Sequence, residues 1–166
     1  MFNIGDMVMY SAHGVSKIDN ICEKTYSNVT KTYYELHPLE QTNLMISTPV
    51  DNDKVVMLKM MDREEAEDLL QSFQQTGIQW VGNPRELNLQ YKKVVKNGDR
   101  SEIAKLVNTL MRQDIELRMD KKKLYEQDRR ILETTQRILF KELAVSLDTS
   151  FEKIHAQVNS ILKCVV

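Results

Sequence analysis

Glycine, proline and cysteine are all scarce in this chain. Five glycines and three prolines among 166 residues leave no glycine-rich phosphate loop and no dinucleotide fingerprint. The Gly-x-Ser-x-Gly nucleophile elbow is also absent. The two cysteines, Cys22 and Cys164, stand far apart and match no zinc-ligand spacing. Met1 to Asp6 lacks the basic and apolar regions of a secretion signal, so free thiols in a reducing cytoplasm are expected. There is no run of eighteen apolar residues, and no membrane contact is expected. His13, His37 and His155 have no Cys, Asp or Glu partner at ligand spacing, so neither a metal nor another cofactor is expected. The carboxylates gather at helix starts, where capping accounts for them. Without a catalytic cluster, a protein with no enzymatic activity is expected, and a small enzyme built from separated residues is the reading this disfavours.

What the chain does have is a charge asymmetry. Residues 1–79 hold 6 Lys and Arg against 12 Asp and Glu, a net of -6, and residues 80–166 hold 17 against 12, a net of +5. The basic half is a candidate for a polyanion and the acidic half is not, although solvated helix faces alone would account for the difference.

The two halves also differ in period. Residues 1–60 alternate: Met7 to Tyr10, Gly14 to Ile18, Lys31 to Leu36, Asn43 to Thr48 and Val55 to Leu58, with turn signals at His13-Gly14, Ser27-Asn28, His37-Pro38 and Asp51-Asn52-Asp53. Four or five short strands with no room for a crossover helix predict a small antiparallel barrel or strongly bent sheet. From Asp62 onward the period is helical. Asp62 with Glu65 reads as a capping box, and the helix it starts should stop near Gln75-Thr76-Gly77. Asn83, Pro84 and Glu86 open a second helix that runs to Asn97-Gly98, and Asp99 to Glu102 repeats the capping pattern. No Gly or Pro follows Gly98. Three apolar stripes succeed one another: Ile103 to Leu117, Leu124 to Leu143 and, after a capping box at Thr149 to Glu152, Phe151 to Leu162. The fold class is therefore α+β, with a β-domain over 1–60 followed by an all-helical bundle over 61–166.

Two features of the helical half bear on binding. Lys92 and Lys96 are one turn apart, with Arg85 about two turns earlier and Lys93 beside them, so one helix face can neutralise phosphates; an ordinary solvated surface is the alternative. Arg129-Arg130 and Lys121 to Lys123 add further charge. Trp80, the sole tryptophan, sits in Gly77-Ile78-Gln79-Trp80-Val81-Gly82. It can plug the seam between domains with Ile78 and Val81, which spacing alone favours, or stand exposed as an apolar wedge beside the basic helix.

Four stretches in series resemble the bacterial CarD family. Phe2-Asn3-Ile4-Gly5-Asp6-Met7-Val8-Met9-Tyr10 with His13-Gly14-Val15 resembles its opening, and Asn43 to Pro49 its later strand. Tyr91-Lys92-Lys93 to Asn97-Gly98-Asp99 resembles the approach to its Gly-Asp step, and Arg129-Arg130-Ile131-Leu132 to Glu142-Leu143-Ala144 its closing pattern. Ser11 stands where the family usually has Pro, and a count back from Gly98 places the family's Trp near Pro84 rather than at Trp80. The resemblance implies a Tudor-like β-domain that docks on the β subunit of RNA polymerase. The residues placed there are Lys24, Met45, Ile46 and Ser47, the last having lost the family's charge, so the contact would lean on backbone pairing. It also implies a helical domain that contacts promoter DNA, largely without regard to sequence, through Trp80, Arg85, Lys92, Lys93, Lys96 and Arg129. Trp80 would then be the wedge at the upstream edge of the bubble, stabilising the open complex. A monomer, cytoplasmic and associated with the nucleoid, is expected. The alternative is a polymerase-binding module that does not touch DNA.

Overall fold

A two-residue turn at Ser27-Asn28 organises the first half of the chain. Both residues take the left-handed conformation, with φ of 50° and 62°, which is the twist that closes a tight hairpin. In the computed structural model, which describes residues 1–10, 13–77 and 83–165, the strands it joins are long: β2 (Gly14–Tyr26) and β3 (Val29–Pro38). β1 (Met7–Tyr10), β4 (Ile46–Pro49) and β5 (Met57–Lys59) are short and complete an antiparallel five-stranded sheet in the order β4-β3-β2-β1-β5. A bulge between Ile18 and Asn20 lets both Ile18 and Ile21 face the same core despite their odd spacing. That core holds Val8, Tyr10, Ile18, Tyr34 and Leu36, with Phe2, Ile46, Val50 and Met57 packed against it.

Several expectations need correction. The strand expected from Asn43 starts only at Ile46, so Met45 lies outside it and is exposed. The reason is local. Gln41 N–H donates to Pro38 O and Leu44 N–H to Gln41 O, and these consecutive turns keep the chain off β3 until Ile46 meets Leu36. The last strand is Met57–Lys59 rather than Val55 to Leu58.

The chain divides into two compact units, Met1–Met60 and Met61–Val166. Among the described residues, the second contains five α-helices: α1 (Arg63–Gln71), α2 (Pro84–Asn97), α3 (Arg100–Met119), α4 (Glu126–Ser146) and α5 (Phe151–Val165). The caps explain the boundaries. The Asp62 side chain accepts from Glu65 N–H while the Glu65 carboxylate accepts from Asp62 N–H. Asn83 and Asp99 cap α2 and α3, and Gly98 ends α2 at a φ of 66°. At α5 the cap is Ser150, not Thr149, because Ser150 Oγ accepts from Lys153 N–H at 3.2 Å. Leu124 precedes α4 rather than belonging to it, yet it is buried with Phe73, Leu110, Phe140, Ile154 and Leu162 in one core. Glu142 of α4 ties this unit together. Its side chain is almost wholly buried, pairs with Arg100 at 2.7 Å and accepts from Met61 N–H at 3.2 Å.

Candidate functional site

The β4 edge is built from alternating backbone directions. Val50 N–H donates to Thr32 O at 2.9 Å, so in this antiparallel ladder Thr48 and Ile46 also bond inward toward β3. Ser47 and Pro49 consequently present their backbone outward. Proline is suited to that position because it has no N–H to leave unpaired. Ser47 N–H and C=O are left as the outward pair at the centre of the strand.

The side chains above this edge form a small polar set. Lys24 Nζ lies 2.8 Å from Glu35 Oε1, donates to Ser47 Oγ at 3.0 Å and stands 5.9 Å from the Tyr33 ring centroid. The hydrogen bond between them raises the Lys24 pKa and lowers that of Glu35, which Asn20 also stabilises. Burial pushes the Cys22 thiol up, with Glu35 adding to it. Thus the fold brings Lys24 and Ser47 together, with Ile46 turned partly into the core and Met45 outside the strand. Glu35 and Tyr33 belong to the same face and went unnoticed in the sequence. The signal was present, since the Ser27-Asn28 turn sets the register that pairs Lys24 with Lys31 and carries Tyr33 and Glu35 along the same side.

On the helical unit, α2 has two opposite faces. Leu87 is fully buried, and Tyr91 packs against the same core. Arg85, Lys92, Lys93 and Lys96 lie on the other side, exposed, and form no ion pair with a described residue. Lys93 also borders the groove between α2 and α3, beside Asp99 and Glu102. Arg129 is placed differently. Its guanidinium is held by Glu126 at 2.7 Å and Glu133 at 3.1 Å on α4, and it lines a separate groove with residues of α3 and α5. Those carboxylates raise the Arg129 pKa and lower that of Glu126. Trp80, with Ile78 and Val81, lies outside the described residues.

The chain on the near side of that segment is tightly held. Asn108 of α3 donates to Phe73 O and Gln75 O, and Arg112 donates to the same two carbonyls. At Gly77 the backbone runs so close to α3 that a Cβ would overlap Thr109 Oγ1 and stand 2.7 Å from Lys105 O.

The histidines have ordinary partners: His13 stacks on Tyr10, His37 meets Asp19 at 2.6 Å, and His155 meets Asn159 at 3.1 Å. Among the described residues no three His, Cys, Asp or Glu are grouped to hold a metal ion, and no helix is long and apolar enough to cross a membrane.

Family models account for both units. Residues 2–61 match the CarD-like/TRCF RID domain, and residues 83–159 match the CarD C-terminal domain. The chain belongs to the CarD family. Its β unit is thus the Tudor-like domain of that family, followed by the family's helices. CarD-like domains mark transcription factors that interact with RNA polymerase, and the family is non-enzymatic. The first match ends one residue past the β unit, and the second begins at the Asn83 cap of α2. The α1 helix and Trp80 lie between the two CarD models.

Proposed function

We propose that this CarD-family protein bridges RNA polymerase and promoter DNA and stabilises the open complex. The β unit docks on the polymerase β subunit. Its β4 edge offers Ser47 for main-chain pairing with a partner strand, and Lys24, Ile46 and Met45 supply flanking contacts. The α2 face carries Arg85, Lys92, Lys93 and Lys96 against the phosphates, so DNA contact is largely independent of sequence. Trp80 acts as the wedge at the upstream bubble edge. Arg129 joins only where DNA phosphates displace Glu126 and Glu133 from its guanidinium. The protein acts as a monomer in the cytoplasm, on the nucleoid.

The observation that carries this reading is the α2 face. Four cations share one side of a helix whose opposite side is packed, and no described carboxylate pairs with them. Such charge is held for a partner anion rather than for internal stability.

The test is the lifetime of open complexes formed by polymerase on a promoter. Lys92→Glu combined with Lys93→Glu should shorten that lifetime and flatten its dependence on salt, while polymerase pull-down is retained. Unchanged lifetimes would favour instead a polymerase-binding module that makes no contact with DNA.

A further inference from the structure

One residue on the basic face of α2 is not basic. Leu89 is 67% exposed. At about 100° per residue, positions 85, 89, 92 and 96 fall in one narrow stripe, and Lys93 closes its far side. Leu89 therefore lies inside the cationic face, between Lys96 and Lys93, and away from the Leu87 and Tyr91 side that packs on the core. A single exposed leucine is ordinary. Leu89 has Arg85 and Glu86 one turn before it and Lys92 and Lys93 one turn after, with Lys96 a further turn on, and since these cations pair with no described carboxylate, an anion that binds them must also cover the leucine.

We propose that Leu89 is a DNA contact, seated in the minor groove between the phosphates held by the surrounding cations. This rests on the reading that α2 faces DNA. A helix about 10 Å across does not fit a minor groove about 6 Å wide, so it lies over the groove. From there a single branched apolar side chain can reach in against the sugar edges, while flanking Lys and Arg side chains meet phosphate on either side. Apolar side chains are a recurrent means of holding the minor groove. Leu89 adds affinity without adding charge, and this separates its contribution from that of its neighbours.

The experiment measures binding of the full chain to a fluorescently labelled A·T-rich duplex carrying a short mismatched bubble, by anisotropy at several salt concentrations. Leu89→Ala and Leu89→Asn should each weaken binding roughly five- to tenfold, from the loss of buried apolar contact. They should leave the salt slope unchanged, because no counterion release is lost. Leu89→Met should bind within about twofold of the parent, since Met also fills apolar space. Lys92→Gln should weaken binding and reduce the slope by about 0.9. If Lys92→Gln weakens binding while Leu89→Ala and Leu89→Asn bind like the parent, the Leu89 contact is overturned and the DNA-facing helix stands. If Lys92→Gln also binds like the parent, or the parent does not bind the probe at all, the DNA-facing reading falls and the Leu89 contact with it. Thermal melting of each variant guards against a folding defect. A lowered melting temperature in Leu89→Ala with unchanged affinity also overturns the contact.

Discussion

Arg112 Nε donates to Asn108 Oδ1 at 2.6 Å, and the two side chains together hold the carbonyl oxygens of Phe73 and Gln75. Asn108 is buried and uses both ends of its amide in doing so. With the close approach at Gly77, this clamp fixes the chain on α3 three residues before Trp80.

Asn108→Ala should lower the melting temperature of the protein. It removes the amide donor shared by the Phe73 and Gln75 carbonyls, which Arg112 still meets, and leaves Arg112 Nε without its acceptor, at a cost of about 1–3 kcal/mol. Asn108→Asp should be no milder, because the new carboxylate keeps Arg112 but sets oxygen against the two carbonyls. Circular dichroism melts of both variants check this, and melts that match the parent would contradict it.

The pH dependence of stability should carry a mark from Glu142. Burial pushes its carboxyl above the ordinary range, and Arg100 and Met61 N–H pull it partly back. A folded pKa above the unfolded one means that the folded state holds the proton more tightly. The stability this group contributes is complete below the unfolded pKa and is lost as pH rises through the folded value. Subtracting the urea-unfolding profile of Glu142→Gln from that of the parent should isolate this fall, beginning in the ordinary glutamate range. A difference profile that rises there would contradict it. Arg100→Ala, which leaves the buried carboxylate unpaired, should cost about 3–5 kcal/mol at neutral pH.

Ser47→Pro should separate docking from folding. The Ser47 N–H points away from β3, so proline there removes the edge donor and leaves the β3–β4 ladder intact. Polymerase pull-down should be lost or sharply reduced while the melting temperature stays near that of the parent. Retained pull-down would place the docking surface elsewhere on the protein.

Trp80→Ala should leave folding and polymerase pull-down nearly unchanged and shorten the open-complex lifetime. Stacking on an aromatic is worth roughly 1–3 kcal/mol per base, enough to hold a bubble edge. A core tryptophan would behave otherwise, with a loss of about 3–5 kcal/mol in stability. Melting temperature and lifetime, measured side by side on the same variant, distinguish the two.

Local chemistry settled much of this protein in advance. Asp62, Asn83 and Asp99 each carry a side-chain acceptor suited to free N–H groups at a helix start, and Gly98 suits a left-handed stop, so those boundaries could be read from a few neighbouring residues. The opposition of Arg85, Lys92 and Lys96 to Leu87 and Tyr91 follows from helical period alone, which is why the basic face was legible while its central leucine passed unremarked among the charges. Tertiary structure decided the rest. Turns from Pro38 to Leu44 delayed β4 to Ile46, and a bulge after Ile18 reset the alternation of β2, neither of which a period-2 pattern can signal. The pairing of Arg129 with Glu126 and Glu133 belongs with the local features instead, because the two carboxylates stand one turn before and after it on α4. The joining of Lys24 to Glu35 and Ser47, and of Asn108 and Arg112 to Phe73 and Gln75, needs residues distant in the chain to be brought within hydrogen-bond distance. Capping and periodicity act over a few residues and can be read locally, whereas these contacts exist only once strand register and helix packing have been set.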